Sequence, residues 1–211
     1  MFGNEKMAYL AENAAQYVRK AGDVGFDIII ACALALAVYI IAVKRNDMKA
    51  VYSALSFFAV RLAYEIVNAI VAGKTGIAVW SVSPDATGYM LLIGLPVEML
   101  FIYSIEGFAC VLLPEQKDRK ILGFINNRLL YAVFISALLA GADTFLAWSN
   151  TIIWVYSWWG SVTSALGMYL PVILLSFYMY DAPESISRNF SYGFIALVML
   201  LMFVLIPIGI I

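Results

Sequence analysis

The chain has no histidine among its 211 residues, only two cysteines, and charged residues make up just 13% of it. The missing histidine removes the usual proton shuttle and the commonest ligand for zinc, copper and haem. Cys32 and Cys110 both lie in apolar runs and read as small buried hydrophobes, not as a disulfide or a metal pair. There is no glycine-rich phosphate loop, no aspartate-rich magnesium motif and no nucleophile triad. Redox, phosphoryl-transfer and prenyl-diphosphate chemistry therefore lack support, and no cofactor is expected. A formal net charge of −1 gives no reason to expect a nucleic-acid partner. The N-terminal stretch MFGNEKMAYLAENAAQYVRKAGD lacks an apolar h-region, so a cleavable signal peptide is not expected.

What the chain has in excess is apolar surface. It is 64% apolar, against about 45–50% for a soluble domain. Its mean hydropathy is +0.91. A soluble fold of this size could not cover that surface, whereas a bilayer can. A crossing helix needs about 20 apolar residues, and the runs 26–43, 51–72, 88–113, 129–148, about 160–181, and 190–211 qualify. The fold class expected is all-α: a polytopic membrane helix bundle of six transmembrane helices, or seven if the stretch 149–159 also crosses. Trp148, Trp154, Trp158 and Trp159 fit an interfacial aromatic belt. Residues 6–20 fit a surface amphipathic helix with Met7, Leu10, Ala14, Tyr17 and Val18 on one side.

Basic residues set the expected orientation. Lys44, Arg45 and Lys49 join the first two runs, Lys117, Arg119, Lys120 and Arg128 the next pair, and Arg188 the last pair. The opposite loops carry only Lys74, so the positive-inside rule predicts that loops 44–49, 117–128 and 182–189 of a cell-membrane protein face the cytoplasm. The chain also repeats itself. LPVEMLFIYSIE at 95–106 matches LPVILLSFYMYD at 170–181, and each copy follows an acid, Glu65 or Asp143, and then a tryptophan, Trp80 or Trp154. This spacing predicts a duplicated helix-pair unit in parallel orientation. The whole chain, 1–211, is then one membrane domain: an interfacial segment 1–25, a first half 26–113 and a degenerate second half 128–211.

Charges inside apolar spans are costly and are functional candidates by default. They are Arg61, Glu65, Glu98, Glu106 and Asp143, with Asp181 expected at the interface. Arg61 and Glu65 stand four apart and can pair on one helix face. That pair reads either as a structural brace or as a cation positioning a working carboxylate. Glu98 follows Pro96 in an otherwise apolar stretch, and a carboxyl kept neutral in an apolar pocket is a proton donor. Glu106 lies two turns further along roughly the same face. The alternative for both acids is hydrogen bonding that holds helices together. Most of the 31 aromatic residues are core or belt, but some could line a cavity where their π faces stabilise a cation.

The segment 60–115, VRLAYEIVNAIVAGKTGIAVWSVSPDATGYMLLIGLPVEMLFIYSIEGFACVLLPE, resembles the lycopene cyclase domain, a family of small integral-membrane carotenoid cyclases. The residues that carry the resemblance are Glu65, Gly76, Trp80, Pro84, Gly88, Leu95, Pro96, Glu98 and Glu115. Two positions depart from it. Met99 stands where the family has a second glutamate, and Pro171-Val172-Ile173 stands where a second Pro-x-Glu is expected. RLAYEIV also resembles the acid-bearing helix of small membrane terpene cyclases of meroterpenoid pathways. The resemblance implies a proton-initiated, non-redox cyclisation of a lipophilic polyene or isoprenoid that arrives from the bilayer. It implies Glu98, Glu65, Arg61, Glu106 and Asp143 as catalytic candidates and Trp80, Pro96, Phe101 and Tyr64 as substrate contacts. A shorter terpenoid substrate shares the same mechanism. A transporter, proton channel or assembly subunit remains the reading from a different class, and a homo-oligomer or a pathway-enzyme partner fits either.

Overall fold

In the computed structural model, residues 5–20, 22, 25–113, 120, 121 and 125–211 are described. Glu115, Lys117 and Arg119 lie outside them.

The elements follow the apolar runs. Helix α1 covers Glu5–Ala15, α2 Phe26–Lys44 and α3 Met48–Thr75. Asp47 starts α3 by accepting the Ala50 N–H at 3.1 Å, and Gly76 ends it at φ 79°, where a residue without a Cβ adopts the left-handed cap freely. Its 28 residues span about 42 Å, more than the hydrocarbon core requires. After α3 come strand β1 (Trp80–Val82), the hairpin β2 (Met90–Leu92) and β3 (Leu95–Pro96), and helix α4 (Val97–Glu106), which continues as a 3-10 turn to Leu112. A short pair β4 (Lys120–Ile121) and β5 (Ile125–Asn126) leads into α5 (Asn127–Trp148). Strand β6 (Ile152–Trp154), α6 (Ser161–Asp181) and α7 (Glu184–Leu205) complete the chain.

Among the described residues four helices, α3, α5, α6 and α7, are long and apolar enough to cross a membrane, and α2 is a further apolar helix. The helical membrane fold expected from composition is therefore present. The run 88–113 is not the single crossing helix that its hydropathy predicted. Its first third is a β-hairpin, and the helix begins only after Pro96, which lacks the N–H that a preceding turn would need. Ten α-helical residues then rise only about 15 Å. The stretch 149–159 holds no crossing helix either. Its centre is β6, paired antiparallel with β1 so that Trp80 faces Trp154. Segment α1 lays its apolar face on this strand pair, with Ala11 buried against Ile153 and Val155, so that face covers protein.

Helix α3 sits centrally and packs most extensively on α7 and α6. Small residues allow the close approach. A Cβ on Gly107 would stand 2.6 Å from the Ala54 backbone, so the turn after α4 can seat on α3 only with glycine there. The end of α3 near Met48 is joined to α6 and α7 by serine hydroxyls. Ser53 Oγ donates to the Ser176 carbonyl at 2.7 Å, Ser191 Oγ donates to the Tyr52 carbonyl at 2.7 Å, and the Ser56 and Ser191 hydroxyls meet at 2.9 Å. Near the same end Arg128 clamps Asp181 through two bonds, Nε to Oδ2 at 2.8 Å and Nη2 to Oδ1 at 2.9 Å. This ties the start of α5 to the end of α6.

Candidate functional site

Arg61, Glu65 and Asn68 follow one another at intervals of four and three along α3, which aligns them on one face. All three are buried: Arg61 is 2% exposed, Glu65 0% and Asn68 1%. An uncompensated charge there is expensive, so what surrounds each group decides its role.

The Arg61 guanidinium lies between two aromatic faces, 4.2 Å from the ring centre of Tyr103 on α4 and 4.8 Å from that of Tyr169 on α6. Such cation–π contacts gain strength when water is excluded. The expected Arg61–Glu65 ion pair does not form, because Arg61 is held over the rings instead. Glu65 is satisfied by neutral donors: the Tyr103 hydroxyl gives to Oε1 at 2.8 Å and the Trp80 indole N–H gives to Oε2 at 3.0 Å. Asp143, on α5 and 8% exposed, accepts the Tyr169 hydroxyl at 2.8 Å. Each tyrosine thus offers its face to the cation and its hydroxyl to an acid. The field of Arg61 acts on Glu65, Glu106 and Asp143, so one buried cation serves three acids. Arg61 Nε and Nη1 and Glu106 Oε2 are buried and make no hydrogen bond among the described residues.

Tyr169 owes its position to backbone irregularity. Residues Ala165–Tyr169 form a π turn within α6, which rotates the following residues and frees a carbonyl. The Tyr64 hydroxyl donates to the Gly167 carbonyl at 2.9 Å. On the other side, Asn68 holds β1. Its Oδ1 accepts the Val79 N–H at 2.8 Å and its Nδ2 donates to the Trp80 carbonyl at 2.8 Å. Gly94 leaves room for the Trp80 ring, since a Cβ there would stand 2.6 Å from the indole Nε1.

Two spaces meet at this cluster. A cavity of about 20 Å³ is lined by Arg61, Asp143 and Tyr103 and by the tryptophans at 80, 154 and 159. An open apolar groove of about 410 Å³ runs past Tyr64, Val67, Val71, Tyr156 and Trp158. Trp80 and Trp159 border both spaces and stack with ring centres 5.2 Å apart and 22° between planes. Trp154 and Trp159 therefore turn inward, away from the aromatic belt to which the sequence assigned them, while Trp148 and Trp158 are exposed as a belt requires.

The structure brings Arg61, Glu65, Asp143 and Glu106 together, with Trp80 as a wall and Tyr64 at the groove. Glu98 lies half-buried in the first turn of α4 and does not border the cavity, which Met99 lines at that turn. Pro96 is buried at the start of α4 and Phe101 is half-buried on it, and neither borders the cavity or the groove. Sequence reasoning missed Asn68, Tyr103, Tyr169 and Gly94. Asn68 carried a signal, a polar side chain three residues after Glu65 in an apolar span. The two tyrosines carried none among 13. Among the described residues no three of Cys, Asp and Glu form a metal-binding group.

The model of an uncharacterized membrane protein family matches residues 8–207. An uncharacterized protein of Archaeoglobus fulgidus is 32% identical over 175 residues, covering 81% of this chain and 82% of that protein. No solved structure matches. These matches point to no lycopene cyclase family and overturn the resemblance drawn from residues 60–115. Leucine, proline and aromatic residues recur readily in apolar segments, so the shared frame carried less information than its length suggested. The chain belongs to the uncharacterized membrane protein family, and a membrane location follows from that and from its apolar helices.

Proposed function

We propose that this member of the family is an integral-membrane acid–base catalyst that acts on a lipophilic isoprenoid ligand, cyclising it without net redox change. The observation that carries this reading is the shared wall: Trp80 and Trp159 border both the open apolar groove and the cavity holding Arg61 and Asp143. A ligand arriving from the bilayer along the groove needs only a shift of that stack to reach the acids. Asp143 is the favoured donor because it lines the cavity, whereas both oxygens of Glu65 already accept hydrogen bonds. In the step proposed, a carboxylic acid protonates one double bond of the ligand, and the π electrons of a second double bond close a carbon–carbon bond onto the resulting cation. The carboxylate then takes a proton from a carbon beside the new cation, which restores a double bond and the acid. The product is an isomer of the substrate. Arg61 steadies the carboxylate left behind, and the aromatic walls keep water from trapping the cation.

The same reading treats β1 and β6, with Trp80 opposite Trp154, as the meeting line of a duplicated helix–strand–helix unit. It also places the basic loops at 44–49, 117–128 and 182–189 in the cytoplasm and counts six crossings, with α2 as one and α4 together with the 3-10 turn to Leu112 as another. The test is to incubate the reconstituted protein with a panel of isoprenoids in deuterated water. A product isomeric with its substrate and carrying one deuterium supports the reading, and unchanged substrates throughout the panel refute it.

Proton or ion handling is the second reading. It is favoured by a specific observation: Arg61 already occupies the two tyrosine faces where a carbocation would be steadied, and the cavity beside it has room for about one water. It predicts pH-driven flux in liposomes and no product from any isoprenoid.

A further inference from the structure

We infer that the ligand of the groove carries a neutral oxygen acceptor, a carbonyl or ether oxygen, that enters the small cavity and takes the hydrogen bonds of Arg61. The inference rests on the groove reading above and goes beyond it by naming the ligand's head.

Arg61 is 2% exposed and borders the cavity, yet Nε and Nη1 make no hydrogen bond among the described residues. Its aromatic neighbours hold it through their faces, which leaves Nε and Nη1 without an acceptor among the described residues. Buried charged donors left unmatched are costly, so a ligand that matches them gains affinity and a hydrocarbon does not. The cavity, at about 20 Å³, admits one water-sized group and no ring or branched head. A carboxylate or phosphate head is excluded twice. It is too large, and it would bring negative charge beside Glu65, Glu106 and Asp143, all of which already share the field of Arg61. A single neutral oxygen fits both limits. Once there, it lies in a cavity that Asp143 also lines.

The experiment titrates the purified protein in detergent with a twenty-carbon isoprenoid aldehyde and with the alkene of the same chain, reading quenching of tryptophan emission. The aldehyde is expected to bind at least tenfold tighter to the wild type, and Arg61→Met is expected to abolish that preference. The infrared carbonyl band of the bound aldehyde is expected to fall below its frequency in empty micelles, as strong hydrogen bonding requires. That measurement uses the wild type and stands even if the variant misfolds. Equal binding of the two compounds, a preference that survives in folded Arg61→Met, or an unshifted band overturns the oxygen-acceptor inference and leaves the groove reading intact. Binding of neither compound overturns the groove reading and this inference with it.

Discussion

The two halves of α3 bury polar side chains in opposite ways. In the half nearest Met48, Ser53, Ser56 and Ser191 of α7 are fully buried, and each hydroxyl has a backbone carbonyl or another hydroxyl in reach. In the half nearest Thr75, Arg61 is also buried, but among the described residues two of its nitrogens lack a hydrogen bond, and its field acts on three acids. Polarity and burial are alike, and satisfaction differs. A polar group with all its partners holds helices together and asks for nothing further. One that lacks partners marks where the protein carries a cost that packing does not repay, which is where a ligand or a proton can act.

That contrast can be broken by mutation, and the largest effect is expected from its centre. Arg61→Met removes the cation whose field acts on Glu65, Glu106 and Asp143 and should cost about 3–5 kcal/mol, as breaking a buried charge group does. Thermal unfolding in detergent measures it, and a loss below about 1 kcal/mol would mean that the acids do not depend on Arg61. Gly94→Ala should come next, at about 1–3 kcal/mol, because its Cβ would stand 2.6 Å from the Trp80 indole nitrogen. The near-ultraviolet circular dichroism of the tryptophans should change with it. If the spectrum is unmoved, the Trp80–Glu65 bond is not held by this contact.

Asn68→Leu leaves the Val79 N–H and the Trp80 carbonyl without their partner and should cost about 1–3 kcal/mol while loosening β1. Faster amide exchange at residues 79–82 is the direct readout, and unchanged exchange would show that the strand pair holds itself. The smallest effect is expected from the serine half. Ser53→Ala combined with Ser176→Ala removes both partners of a bond and should cost less than about 1 kcal/mol, in line with polar contacts between membrane helices. A larger loss there would erase the contrast between the halves.

How much of this was legible follows from which interactions are local. The apolar runs announced α3, α5, α6 and α7, because a crossing helix satisfies its own backbone and needs only length and composition. The run at 88–113 misled, since hydropathy cannot see that Met90–Leu92 and Leu95–Pro96 pair as a hairpin before α4 starts. The acids at 65, 106 and 143 and the cation at 61 stood out as charges in apolar context. Their arrangement did not, because it depends on Tyr103 and Tyr169, which reach Arg61 from 42 and 108 residues away along the chain. Helical spacing suggested an Arg61–Glu65 pair, and the two aromatic faces outcompeted it. The pairing of β1 with β6 lies between three-residue strands about 70 positions apart, which no local pattern encodes.

The most direct test of the account sets its two halves against each other in one assay. Deuterium incorporation into an isomeric isoprenoid product is measured for the wild type, Asp143→Asn and Ser176→Ala, each reconstituted at equal folded amount. The account predicts that Asp143→Asn lowers the rate at least about 100-fold, as loss of a general acid does, while Ser176→Ala stays close to the wild-type rate. Equal rates in Asp143→Asn and the wild type, or equal losses in the two variants, would contradict it.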